Sequence, residues 1–245
     1  MSALLRAELL KLRTTRTFFA LTGSAVALSL LVVVLTASLD EGFSERDAQE
    51  LFRSGDSTGL FILLLGVIGM AGEWRHRTIT GTVLAAPVRT RLLAAKTLSY
   101  AVAGAVISFI VTVTIMAVGT IILSARDETT AGAGDLADVL WRNLVVAAFL
   151  GAFGVCVGAL VRNQIVAIVG LLVFSFAVEP TLIALASEVG RFGPTIGAPN
   201  GFLDLNGFGD DEQQLAPVAA LAVMVGWVAL GFTAGAALLQ RRDLV

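Results

Sequence analysis

Six long stretches with almost no charge dominate this chain, and they leave few folds open to it. They cover residues 18–39, 58–74, 98–123, 143–161, 165–186 and 215–239. A helix needs about 20 apolar residues to cross the hydrocarbon core of a bilayer. The second stretch has a short apolar core, Leu60–Gly72, and gains length from Ser57-Thr58-Gly59 before it and Glu73-Trp74 after it. None of the six shows the polar/apolar alternation of a barrel strand, so all read as helices. The first is too long for the apolar part of a signal peptide, which runs to about 7–15 residues. Only 15% of the 245 residues are charged, against about 25% in soluble domains. The expected fold is therefore an all-α integral membrane protein with six transmembrane helices, a single membrane domain over residues 1–245.

Charge placement gives the sidedness. With the N-terminus cytoplasmic, Arg6, Lys11, Arg13, Arg16, Arg75, Arg77, Arg89, Arg91, Lys96, Arg162, Arg241 and Arg242 lie inside, twelve of the 17 basic residues. Only Arg46, Arg53, Arg126, Arg142 and Arg191 lie outside. The positive-inside rule thus predicts N- and C-termini cytoplasmic. Trp74, Tyr100 and Trp141 stand near span ends, where aromatic anchors gather. Within residues 1–16, Leu5, Leu9 and Leu12 form one helical stripe flanked by Arg6 and Arg13. This predicts an N-terminal amphipathic interface helix lying on the membrane surface; the plainer alternative is a basic flank that only sets topology.

Several chemistries are missing from the sequence. It has no G-x-x-x-x-G-K-[ST] phosphate loop, no G-x-S-x-G, no H-E-x-x-H and no C-x-x-C. His76 and Cys156 are the sole residues of their types, so a His/Cys metal site is not expected. The glycine-flanked Cys156 has no neighbour to activate it. No catalytic, cofactor-binding or metal residue is assigned, and no nucleic-acid partner is implied. Ionisable residues within the spans are nearly absent, which disfavours an ion-coupled transporter. Glu179 is the clear exception, about 21 Å up its helix from Ile165. Pro180 disfavours helix at that point. Glu179-Pro180 reads either as a pathway or gate element or as a helix end whose carboxylate reaches the outer headgroups. Gly154-x-x-x-Gly158 and Gly231-x-x-x-Gly235 match a close-packing pattern for membrane helices. Residues 188–214 are rich in Gly and Pro but carry Phe192, Ile196, Phe202, Leu203, Leu205 and Phe208. They are expected to fold back onto the outer face.

The segment between spans two and three, residues 75–97, is the strongest functional clue. Glu73 and Arg77 stand at i, i+4 in the favourable order for a helix. Ile79 and Val83 form another i, i+4 pair in a short second helix, with Thr78 and Thr80 beside them, and Pro87 ends it. A solvated basic loop would account for Arg75, Arg77, Arg89, Arg91 and Lys96, but not for Ile79, Val83 and Leu84 exposed among them. An apolar ridge rimmed by charge reads as a docking surface.

The run E-W-R-H-R-T-I-T-G-T-V-L-A-A-P-V-R-T-R-L-L-A-A-K resembles the cytoplasmic loop of ATP-binding cassette (ABC) type-2 permeases, an exporter family. The opening A-E-L-L-K-L-R-T-T-R resembles their N-terminus. The resemblance implies the permease subunit of an ATP-driven exporter, with ATP and magnesium bound by a separate ATPase subunit. It implies that 79–84 is a coupling helix seated on that ATPase. The docking residues would be Glu73, Arg75, Arg77, Thr78, Ile79, Thr80, Val83, Leu84 and Arg89. A second permease copy, as a homodimer or with a close paralogue, would complete the path, and the chain would be a multi-pass protein of the plasma membrane among its lipids. Residues 188–214 depart from the family pattern in lacking an evident pair of outer re-entrant helices. A non-transporting membrane sensor or immunity subunit is the alternative reading.

Overall fold

The computed structural model describes residues 2–76, 78, 88–161, 163–205 and 214–241. No strand occurs among the described residues. Helix α1 covers Ser2–Thr14, α2 Arg16–Leu39, α3 Glu45–Gly55, α4 Thr58–Arg75, α5 Arg89–Ala125 and α6 Ala133–Leu160. The fifth span begins as α7 (Gln164–Val173), passes through a π turn at Phe174–Val178 and ends as α8 (Glu179–Leu185). Short helices α9 (Ser187–Gly190) and α10 (Gly197–Leu203) lead to α11 (Pro217–Arg241). Among the described residues, six helical segments are long and apolar enough to cross a membrane. The chain is an all-helical membrane protein, as its apolar runs require.

Helix α6 stands at the centre and packs along α4, α5 and α11. Glycine makes this possible. A Cβ at Gly154 would lie 2.3 Å from the Leu63 carbonyl oxygen of α4, and one at Gly151 would lie 2.4 Å from the Tyr100 carbonyl oxygen of α5. In lipid there is no hydrophobic drive between helices, so such backbone approach supplies the dispersion that holds them. The Gly231-x-x-x-Gly235 pair also works within the chain, against Cys156 and Ala159 of α6. Cys156 is fully buried there. The outward faces of α2, α5, α7 and α11 carry exposed apolar side chains such as Leu31, Ile110, Val169 and Val225.

Sequence periodicity understates three elements. Helix α5 starts at Arg89 and has 37 residues; at 1.5 Å per residue it is about 55 Å long, more than the ~30 Å hydrocarbon core. Its first turns therefore extend past the membrane. Helix α6 likewise begins at Ala133, so Trp141, Arg142 and Asn143 are helical. The acidic segment 40–57 holds α3. Ser44 caps it: its hydroxyl accepts from the Asp47 N–H and the Asp47 carboxylate accepts from the Ser44 N–H, a capping box with Asp in the Glu position. Ala48, Leu51, Phe52 and Gly55 form its buried stripe.

The corner after α3 is built from polar contacts. Asp56 accepts from Ser108 and Thr112 of α5 at 2.6 and 2.8 Å, and Asn143 donates to the Phe52 carbonyl at 3.1 Å. Nearby, Arg53 and Arg142 share Asp138 at 2.7 and 2.8 Å. Arg142 also donates to the Phe202 carbonyl at 2.6 Å. Segment 188–205 thus folds back onto the bundle, with Ala198, Phe202 and Leu203 of α10 buried.

The fifth span does not break at Pro180. Pro180 lacks the N–H that would close an α turn, and the preceding wide turn absorbs the shift in register, the Glu179 N–H reaching the Phe174 carbonyl. The Glu179 carboxylate does not reach outward to the headgroups. It is fully buried and accepts from the backbone N–H groups of Thr195, Ile196 and Gly197 at 3.0, 2.7 and 2.8 Å, and from the Thr195 hydroxyl. It pins the returning loop to the fifth span.

The packing account is testable. Gly154→Ala is expected to cost about 1–3 kcal/mol through overpacking, read as a lower unfolding midpoint in detergent. Gly170→Ala, where an added Cβ meets nothing within 4 Å, should leave the midpoint unchanged or raise it. Equal behaviour of the two would contradict the backbone contact.

Candidate functional site

The feet of α4 and α5 flank residues 77–87, and four charged side chains gather between them. Lys96 of α5 is 1% exposed. Its ammonium lies 2.6 Å from Glu8 Oε2 of α1 and 2.8 Å from Glu73 Oε1 of α4, and it also donates to the Gly69 carbonyl at 3.4 Å. Lys11, whose side chain is half exposed, reaches the same two acids, Glu8 at 2.9 Å and Glu73 at 3.2 Å. Two acids and two bases alternate, so the quartet is neutral. It joins the interface helix to the ends of spans two and three.

Packing places these side chains. On α5, Leu92, Leu93, Lys96, Tyr100 and Gly104 fall on one buried stripe at helical spacing. On α1 the inward positions are Glu8 and Leu12, while Leu9 is exposed. This corrects the Leu5–Leu9–Leu12 stripe: the inward row passes through Glu8 in place of Leu9. Glu8 feels opposing effects. Burial alone raises its carboxyl, but the Lys96 charge and hydrogen bond, helped by Lys11, hold it below its ordinary value of 4.5.

The structure distributes the expected docking residues unevenly. Glu73 is buried in the quartet and presents almost no surface of its own. Arg75 is exposed at the end of α4. Thr78 is exposed and its N–H donates to the Glu73 carbonyl at 3.0 Å. Arg89 turns the other way, donating to the Leu239 carbonyl and, at 3.4 Å, to that of Gln240. It thereby satisfies the open carbonyls at the end of α11. Arg77, Ile79, Thr80, Val83 and Leu84 lie outside the described residues. Glu179 and Pro180 stand far from this cluster in the chain, where Glu179 holds residues 195–197. The sequence reading counts Lys11 and Lys96 among the cytoplasmic basic residues and gives Glu8 no role of its own. The stripe through Tyr100 and Ile107, extended back along α5, carries the signal for Lys96.

With this geometry in view, the family is decided by one match. The family model described as ABC-2 family transporter protein matches residues 4–178, from α1 to the end of the π turn. The chain belongs to the ABC-2 transporter family. No curated protein matches it. The matched region of this ABC-2 transporter includes all four quartet residues and the intervening loop, and stops just before Glu179.

Two outcomes are expected. Lys96→Met leaves Glu8 and Glu73 with only the half-exposed Lys11 between them and should cost about 3–5 kcal/mol, as breaking a buried pair does. Lys11→Met, half exposed, should cost under about 1 kcal/mol. Thermal unfolding of the purified chain in detergent compares them, and equal losses would contradict the burial of Lys96. The second concerns pH. A carboxyl depressed in the fold contributes stability that is complete above its ordinary value of 4.5 and is lost as pH falls through its lower folded value. The wild-type midpoint should fall on the acid side of that range, and Glu8→Gln should flatten that acid limb. An unchanged acid limb in Glu8→Gln would contradict the assignment.

Proposed function

We propose that this chain is the membrane-spanning permease subunit of an ATP-driven exporter, working with a separate ATPase subunit and a second permease copy in the plasma membrane. Family membership, the absence of a phosphate loop and the excess of basic residues on the loop side support this reading. That charge excess also supports cytoplasmic placement of both termini. One observation carries the mechanism: the two feet of the 77–87 loop, at Glu73 and Lys96, are joined by the same ion pair. A push on the loop therefore moves α4 and α5 together rather than bending one of them.

In this mechanism ATP binding draws two ATPase subunits together, and they press on residues 79–84. Arg75, Arg77, Thr78, Ile79, Thr80, Val83 and Leu84 supply the contact, while Glu73 and Arg89 anchor the ends. Spans two and three tilt at their common foot. Span one follows through α1, which the quartet ties in, and span five follows through the packing of α7 on α4. The ATPase shifts the equilibrium by binding one state better than the other. At the outer end, Glu179 and Pro180 act as the gate: the π turn lets span five bend and the carboxylate releases or holds the returning loop. This chain supplies no catalytic residue; ATP and magnesium belong to the partner.

The test is co-purification. A tagged wild-type chain isolated from its native membrane should bring down an ATPase with a phosphate loop. Val83→Asp, which puts a charge in the apolar contact, should reduce the recovered ATPase by roughly tenfold or more. Equal recovery with both chains, and equal ATP hydrolysis, would refute the docking assignment.

A further inference from the structure

Helices α3 and α4 meet inside the membrane. Together they form one apolar segment, Glu45–Arg75, broken at Asp56 and Ser57. The Ser57 N–H donates to the Ser29 hydroxyl of α2 at 2.9 Å. At 1.5 Å per residue, Ser29 lies about 20 Å along α2 from Arg16 and about 15 Å from Leu39. The break therefore stands near the middle of a hydrocarbon core about 30 Å thick. Non-helical backbone is tolerated at that depth where protein buries it or where it borders a water-filled path. Asp56 and Ser57 are both partly exposed, which favours the path.

Asp56 also brings a carboxylate to that depth. Its Oδ1 accepts from the Thr58 N–H at 2.9 Å, and its Oδ2 from the Ser108 and Thr112 hydroxyls at 2.6 and 2.8 Å. All three donors are neutral, and no basic side chain pairs with it among the described residues. Arg53 of α3 and Arg142 of α6 are engaged by Asp138. Helix α2 carries no charge between Arg16 and Asp40, α4 none before Glu73, and α5 none between Lys96 and Arg126. An ionisable group within a span marks a functional site, and here the missing partner is a cation.

A groove of about 490 Å³ descends between α2 and α3 towards the same break, from Asp40 and Glu41 at its outer end to Ser54. That volume is in the range of ligand pockets. Asp47 and Glu50 edge it, Val32 and Leu51 wall it, and no Lys or Arg among the described residues lines it. Acids on a rim attract any cation; Asp56 gives the route an end inside the membrane. A metal ion fits poorly. No group of three or more His, Cys, Asp or Glu that could hold one lies together among the described residues. The Ser108 and Thr112 hydroxyls already donate to Asp56, so a metal would have to turn them round. An organic cation needs only the field of the carboxylate, and the apolar walls suit its body.

We infer that the transported substrate is a lipophilic organic cation, which travels along the α2–α3 groove and has its charge balanced by Asp56 at the break. This rests on the permease reading and adds the substrate's charge and polarity to it.

The experiment is equilibrium binding of tetraphenylphosphonium to the full chain in lipid nanodiscs, with empty discs subtracted. Tetraphenylborate, of the same shape and opposite charge, is the comparison. The wild type should bind the cation roughly tenfold more tightly than the anion. Asp56→Asn keeps the side-chain shape and should remove most of that preference, while Asp56→Glu should retain it. Ser54→Trp fills the groove without altering the Asp56 contacts and should weaken cation binding severalfold. Equal binding of the two ions by the wild type would overturn the proposal, as would a preference unchanged in Asp56→Asn. If Asp56→Asn is not monodisperse, cation binding unchanged in Ser54→Trp would overturn it instead. The readout needs no ATPase, so failure here and failure of co-purification are separate results.

Discussion

A buried ammonium dictates much of this architecture. Lys96 sits on the core-facing stripe of α5, where an unpaired charge would cost several kcal/mol after relaxation. Two carboxylates must therefore come to it, and they come from separate elements: Glu8 from the interface helix and Glu73 from the end of span two. Helix α1 cannot leave its place against α5 without removing one of the two carboxylates from Lys96. The net stability from such a quartet is small, because desolvation offsets most of the attraction. Its effect is on geometry: it fixes where α1 crosses and keeps the two ends of the 77–87 loop together.

The rest of the bundle is held by contact rather than charge. Gly151 and Gly154 let the α6 backbone touch carbonyl groups of α5 and α4, and Gly231 and Gly235 seat α11 on the remaining face. A central helix held this way, with a charge-locked foot, would move with its neighbours as one body, since packed backbone contacts transmit displacement with little deformation. The π turn of span five, beside Pro180, departs from α geometry, and Glu179 holds the returning loop.

The number and order of the spans were legible because each apolar run is long and each intervening segment carries charge. The basic segment between spans two and three also stands out in the sequence, where Arg75, Arg89 and Arg91 flank apolar residues; Ile79, Val83 and Leu84 themselves lie outside the described residues. Charges that fold inward leave a weaker mark in the sequence. Lys96 counts as one more inside positive in a tally of loops, and only the i, i+4 step to Tyr100 shows that it shares the core stripe. Glu8 interrupts a leucine stripe and is easily read as outward. Helix α3 was hidden because its capping box uses Asp47 and its polar face is strongly acidic, so the segment reads as a loop. Pro180 suggested a broken helix, because a π turn has no signature in a single sequence.

The central claim is that Glu8 and Lys96 act as one structural unit joining the interface helix to the foot of span three. A double-mutant cycle tests it directly, using Glu8→Gln, Lys96→Met and the double substitution, with unfolding free energy measured in one detergent. The account predicts a double variant more stable than the sum of the single losses implies, by a coupling of about 1.5–3 kcal/mol. Losses that add to within about 0.5 kcal/mol would contradict it.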